Sequence, residues 1–218
     1  MPSLDAGERY LLETDGERAL APLHALVIDH VLTHDGPAVW VDAAGRAVTA
    51  ELRDLAPDDR VLQRIHVARG FTPYQHTTQV RRLADWIRER SPSLVVLPAF
   101  DSQYRSDDVR GGTGRDFLLA ALADVAQATR QTDAPVLLTR LRDDGFAAPV
   151  AAFCTRTLTC RETPHGPRFT GDGVETTVYR LGGGWVQTTL AFWRDVLAAR
   201  QPLYDDAAPT TGVARGTN

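Results

Sequence analysis

The sequence contains no lysine: all 24 of its basic residues are arginine. Without an amine side chain the chain cannot form a Schiff base, and it cannot present the lysine that reaches the outer phosphates in a phosphate-binding loop. Cysteine is nearly as scarce. Cys154 and Cys160 are too few for a disulfide framework, and on the straight strand expected around them they would share a face but lie about 20 Å apart. No 18-residue apolar run is present, which excludes a membrane-spanning helix. The opening residues "MPSLDAGERY" lack the basic start and apolar stretch of a secretion signal, so a cytoplasmic location is expected. Positive charge is also not in excess. A formal charge of −4 gives no global attraction to nucleic acid, so any such contact must rely on a local arginine patch.

What is present fits a soluble globular protein. With 43% hydrophobic and 24% charged residues, 218 residues suffice for one substantial core. A single domain over residues 1–204 is expected. Residues 205–218, "DDAAPTTGVARGTN", have too little apolar content to require order. "RYLLET" reads as a short strand, and "APLHALVIDHVL" as a helix with Leu23, Leu26, Val27, Val31 and Leu32 near helical spacing. "PAVWVDAAG" is a strand ending in a turn, followed by a polar connector and a short strand, "RIHVARG". The segment "QHTTQVRRLADWIRER" reads as one helix burying Val80, Leu83 and Ile87. Leu94–Leu97 and "APVLLTR" are strands on either side of a long helix, "RDFLLAALADVAQATRQTD".

This alternation of strands and amphipathic helices predicts an α/β fold, a mostly parallel sheet flanked by helices. The last third is different. "AAFCTRTLTCRE", "ETTVYRL" and "GWVQTTLAF" are rich in threonine, valine and aromatics, with Gly182–Gly184 as a turn, and predict C-terminal antiparallel strands. "FWRDVLAARQ" is expected to close the fold as a short helix.

Taken together, "AVWVDAAG", "RIHVARGFTPYQHTTQVRRL", "SLVVLPAFDSQYRSDDVRGGTG" and "APVLLTR" resemble the ATPase core of the RecA/RadA recombinase superfamily, in its RadA/KaiC-like branches. The resemblance spans about residues 38–140. It implies a RecA-like sheet with nucleotide at the strand ends, two DNA-facing loops and assembly into filaments. The groups that perform the chemistry depart from the family pattern. Where the phosphate loop belongs, "TDGERALAPLHALV" has Gly16 but no second close glycine, no lysine, and no Ser or Thr at the helix start. Before Gly45, where the family carries the acid that orients the attacking water, stands Ala44, with Asp42 two residues earlier. At the strand end where the resemblance implies a magnesium-holding aspartate stands Pro98, which has neither a carboxylate nor an amide donor. Asp101, three residues on, is expected to make ordinary loop hydrogen bonds.

Losing these groups together removes most of the charge management that phosphoryl transfer requires. The expectation is therefore a pseudo-ATPase with no catalytic, cofactor or metal residues. His66 and His76 lack the acids and spacing of a metal trio, and no nucleophile-elbow pattern is present. The residues expected to make contacts lie in two loops. "FDSQYRSDDVRGGTGR" offers Tyr104 for stacking on a base and Arg105, Arg110 and Arg115 for phosphates, although its aspartates dilute the field and Tyr104 has the alternative of packing inward. "TRLRDDGFAAPVAAF" offers Arg140, Arg142 and Phe146. Trp185 and Phe192 mark an apolar strip for pairing with another chain or for packing within this one.

The leading expectation is a non-hydrolysing RecA/RadA-like accessory or scaffold protein in DNA recombination or repair, self-associating or meeting a recombinase partner, without a membrane. The alternatives are a single-stranded nucleic-acid-binding module with weak single-stranded DNA contact, and an atypical nucleotide hydrolase completed by a partner.

Overall fold

A computed structural model describes residues 1–14, 20–109, 112–161, 168–171, 174–178 and 197–198, with the side chains of 174–178 excepted. Its strands are β1 (Arg9–Thr14), β2 (Ala38–Asp42), β3 (Ile65–Arg69), β4 (Leu94–Leu97), β5 (Val136–Leu138), β6 (Arg156–Arg161), β7 (Arg168–Gly171) and β8 (Val174–Val178). They form one sheet in the order β3-β2-β4-β5-β1-β6-β7-β8. The first six are parallel, while β7 runs antiparallel to both β6 and β8.

Both faces of the central parallel strands β2, β4 and β5 are buried, as their near-continuous apolar sequences require, while the edge strand β3 is largely exposed. Alternate residues divide between two cores. Tyr10 and Leu12, Ala38 and Trp40, Leu94 and Val96, and Leu137 face one core. Leu11, Val39 and Val41, Val95 and Leu97, and Val136 and Leu138 face the other. The first is covered by α1 (Ala21–Thr33), α2 (Thr49–Leu55) and α3 (Asp59–Gln63). The second is covered by α4 (Pro73–Arg81), α5 (Leu83–Arg90), α6 (Thr113–Thr129) and α7 (Ala148–Phe153).

Four local expectations change. The polar connector after β2 holds α2 and α3, which bury only Leu52, Leu55 and Val61, too few for a visible period. The single helix expected over 75–90 breaks at Arg82 into α4 and α5. The segment expected as the strand "AAFCTRTLTCRE" is helical as far as Phe153, so Cys154 precedes the strand that holds Cys160. That strand, β6, pairs parallel with β1, and antiparallel pairing begins only at β7. Burial pushes the Cys154 thiol up to about 12, so it is a neutral packing group at ordinary pH. Gly16, the Gly182–Gly184 turn, Trp185, Phe192 and the tail expected at 205–218 lie outside the described residues. No helix among the described residues is long and apolar enough to cross a membrane.

Candidate functional site

Because β1 to β6 are parallel, their C-terminal ends share one edge of the sheet, and the loops of interest converge there. At the end of β2, Asp42 is buried. Its Oδ1 accepts from the Arg46 amide at 2.7 Å, and its Oδ2 accepts from the Ala47 amide at 3.4 Å. Arg69 Nε lies 3.4 Å from the same carboxylate, and the Arg69 guanidinium also donates to Ala47 O. Gly45, at φ +66°, takes the left-handed conformation that reverses the chain inside this turn. Asp42 therefore closes a turn.

Beyond β4 the chain turns at Pro98 and Ala99 and is tied to β5. The Ala99 amide donates to Thr139 Oγ1 at 2.7 Å, and the Phe100 amide donates to Thr139 O at 2.9 Å. Asp101 is completely buried. Its Oδ1 accepts from the Leu141 amide at 2.6 Å and its Oδ2 from Arg105 Nε at 2.5 Å. Arg105 then grips Asp144 with both remaining nitrogens, at 2.8 and 2.6 Å, and its guanidinium lies 4.6 Å from the centre of the Phe146 ring. Asp144 Oδ1 also accepts from the Phe146 and Ala147 amides, an Asx-type turn leading into α7. The Arg105 hydrogen bonds, then those amides, hold the Asp144 carboxyl well below the usual carboxylate range. The two loops are thus joined by one charged clamp.

Tyr104 lies inside the protein, only 1% exposed, within a short 3₁₀ turn, Gln103–Arg105. Its hydroxyl is 2.8 Å from Nδ1 of the equally buried His76, and both rings pack edge-on against Phe100. Burial holds the His76 ring at a pKa of about 4 and raises that of the Tyr104 phenol. Of the two roles open to Tyr104, stacking on a base and inward packing, the structure places it in the second.

The other expected contact residues divide. Arg105 and Phe146 belong to the clamp, and Arg115 donates to Gly145 O at 2.9 Å. Arg140 bridges Glu13 on β1 and Asp143. Arg142 is exposed, and Arg110 lies outside the described residues.

Beside the clamp, at the ends of β1, β5 and β6, the edge opens into a cavity of about 430 Å³. Arg46, Arg140, Arg142 and Arg161 line it with Glu13 and Asp143, and Leu12 and Leu23 give it an apolar wall. Sequence reasoning missed Arg46 and Arg161. Arg161 offered only its place at the end of a threonine-rich strand, and Arg46 only its place just beyond a strand-end glycine. Among the described residues no group of three His, Cys, Asp or Glu side chains is placed to hold a metal ion. A scan against protein-family models finds no match to the chain, and a search of curated proteins finds none either.

Proposed function

We propose that the chain is a non-hydrolysing RecA/RadA-like accessory or scaffold protein of the cytoplasm, working beside DNA recombination or repair. The observation that carries this reading is the state of the two aspartates near the positions where the family resemblance implies catalytic acids. Asp42 and Asp101 are both buried and already bonded to backbone amides and arginines. Each carboxylate is thus committed to fastening its own turn or loop, and a catalytic task would require it to give up those partners, so the charge management for phosphoryl transfer is expected to come from elsewhere, if at all. The convergence of the ends of β1, β2, β4 and β5 on one edge supports the RecA-like part of the reading.

The clamp favours a scaffold over direct nucleic-acid binding. The aromatic and the arginine best suited to single-stranded nucleic acid, Tyr104 and Arg105, are engaged within the fold. Support for protein contact lies at the far side of the sheet. There β3, among the described residues, pairs with β2 alone, and Val67, Phe71 and Tyr74 are exposed, Phe71 by 74%.

The test is phosphate release from ATP with magnesium, measured on the purified protein. No turnover above the blank is expected. Reproducible turnover that disappears in Asp101→Asn or Asp42→Asn would overturn the proposal, because it would give these carboxylates a catalytic task.

A further inference from the structure

The edge strand β3 keeps an unbroken parallel register with β2, Ala38–Asp42 against Ile65–Arg69. At its two ends the Ala38 amide donates to Arg64 O at 2.9 Å, and the Gly70 amide donates to Asp42 O at 3.1 Å. The backbone polar groups of successive strand residues point to opposite sides, so those of Arg64, His66, Ala68 and Gly70 face β2. The amides and carbonyls of Ile65, Val67 and Arg69 therefore point away from the sheet, and among the described residues no other strand meets them.

An open edge of this kind pairs readily with another strand unless a proline, a bulge or a charge guards it. The strand has no proline and no bulge against β2, and its one formal charge, Arg69, is drawn back to Asp42 and to Ala47 O. Arg64, just before it, turns back to the carbonyls of Val31, His34 and Gly36 at the end of α1. With histidine neutral, Arg69 is the only charged residue from Ile65 to Val80, and the same run holds the exposed Val67, Phe71 and Tyr74. A strongly charged partner would find little here to answer its charge. A second copy finds its match, because the outward groups are centred on Val67. Residues directly opposite in an antiparallel pair exchange their hydrogen bonds. With Val67 on a two-fold axis, Val67 faces its own counterpart, Ile65 faces Arg69 and Arg69 faces Ile65, and the three pairs exchange about six backbone hydrogen bonds. His66 falls opposite Ala68, so no charge meets a like charge, and the two exposed valines lie side by side on one face. Moving the axis to His66 or Ala68 leaves one of the three outward residues with no strand residue opposite.

We infer that β3 is the interface of an isologous dimer, in which it pairs antiparallel with β3 of a second copy about Val67 and one sheet runs through both. Phe71 of each copy then lies opposite Gln63 of the other, at the end of α3, so the contact extends beyond the strands. The inference deepens the scaffold reading, on which it rests, by naming a second copy as the partner and a closed pair as the assembly.

The experiment is sedimentation velocity of the full chain at about 1 μM and about 100 μM, a span that covers ordinary weak pairing. A monomer that converts to a dimer, and no further, is expected. Val67→Lys and Val67→Glu, each checked for folding by its thermal melt, are each expected to raise the dissociation constant about tenfold or more, because like charges then meet on the axis. Mixing the two variants is expected to restore a one-to-one dimer, because opposite charges then face each other there. Arg88→Ala, which removes an exposed arginine on α5, is expected to leave the dimer unchanged. Hydrogen exchange of the unaltered chain reads the same contact without a substitution, since the amides of Ile65, Val67 and Arg69 should exchange more slowly at the higher concentration. A chain that stays monomeric, species that keep growing beyond a dimer, a dimer that forms equally well in both Val67 variants, or mixed variants that do not pair overturns the inference. ATP turnover by a dimer would sink only the non-hydrolysing reading. A monomer without turnover would sink only this pairing.

Discussion

Two stretches of the same sheet edge use arginine in opposite ways. Between β4 and β5, Arg105 meets Asp101 and Asp144, and each carboxylate also accepts from backbone amides. At the ends of β1 and β6, the acids among the described lining residues, Glu13 and Asp143, both pair with Arg140. The first stretch is a fastening, since Asp101, Arg105 and Asp144 are bonded to one another and the two carboxylates to backbone amides as well. In the second, Arg161 at the end of β6 is exposed and has no ion-pair partner among the described residues. Arginine content alone does not mark a binding surface. The partners within reach decide whether a guanidinium group is consumed by the fold.

The largest effect expected from breaking this comparison is at Asp101. Asp101→Ala leaves the Leu141 amide without its acceptor and removes one partner of the buried part of Arg105, while Asp144 stays in place. A loss of about 3 kcal/mol is expected, the usual size for removing one member of a buried, hydrogen-bonded ion pair. Urea denaturation measures it. A loss below about 0.5 kcal/mol, the range of ordinary surface changes, would mean that the clamp fastens nothing.

Much of the frame was legible because it depends on local pattern. The apolar runs of β1, β2, β4 and β5 are short and bounded by turn residues, and they read directly as buried strands. The direction of β6 was not legible, because its partner β1 lies well over a hundred residues earlier and no local pattern states which way two strands pair. At the edge the same division holds. The turn role of Asp42 follows from its place at a strand end, three residues before Gly45, and the hydrogen-bonding role of Asp101 from its place in a loop. The clamp could be read only in halves. Asp101 and Arg105 are four residues apart, whereas Asp144 is 39 residues from Arg105 and meets it only through the packing of β4 against β5. The inward turn of Tyr104 depends on His76, 28 residues away on α4, and nothing in the spacing announces that contact.

A second effect, smaller for each ring taken by itself, is expected from the buried histidines His76 and His30. Burial lowers the His76 pKa to about 4, and burial followed by the neighbouring His34 does the same for His30. Each folded value lies below the unfolded value of 6.5, so the unfolded chain takes up protons first as pH falls. Their contribution is intact above about 6.5, is lost progressively down to about 4 and is level below that. At about pH 4.5 the loss is roughly 2–3 kcal/mol for each ring, on the order of a two-unit displacement in binding. Titration of the histidine ring signals by nuclear magnetic resonance checks both. A midpoint near 6.5 for His76 would mean that water reaches it, and the packed contact with Tyr104 would go with it.

The smallest expected effect bears most directly on the contrast. Arg161 is exposed, with no ion-pair partner among the described residues, so Arg161→Ala removes charge from the cavity without removing a fastening from the fold. Its stability in urea should stay within about 0.5 kcal/mol of the unaltered chain. A large destabilisation would show that Arg161 holds the end of β6 as Arg105 holds the loops, and the two stretches of the edge would then be one kind of structure. A neutral change, set beside the loss at Asp101, separates arginine that fastens the loops from arginine on which the fold does not depend.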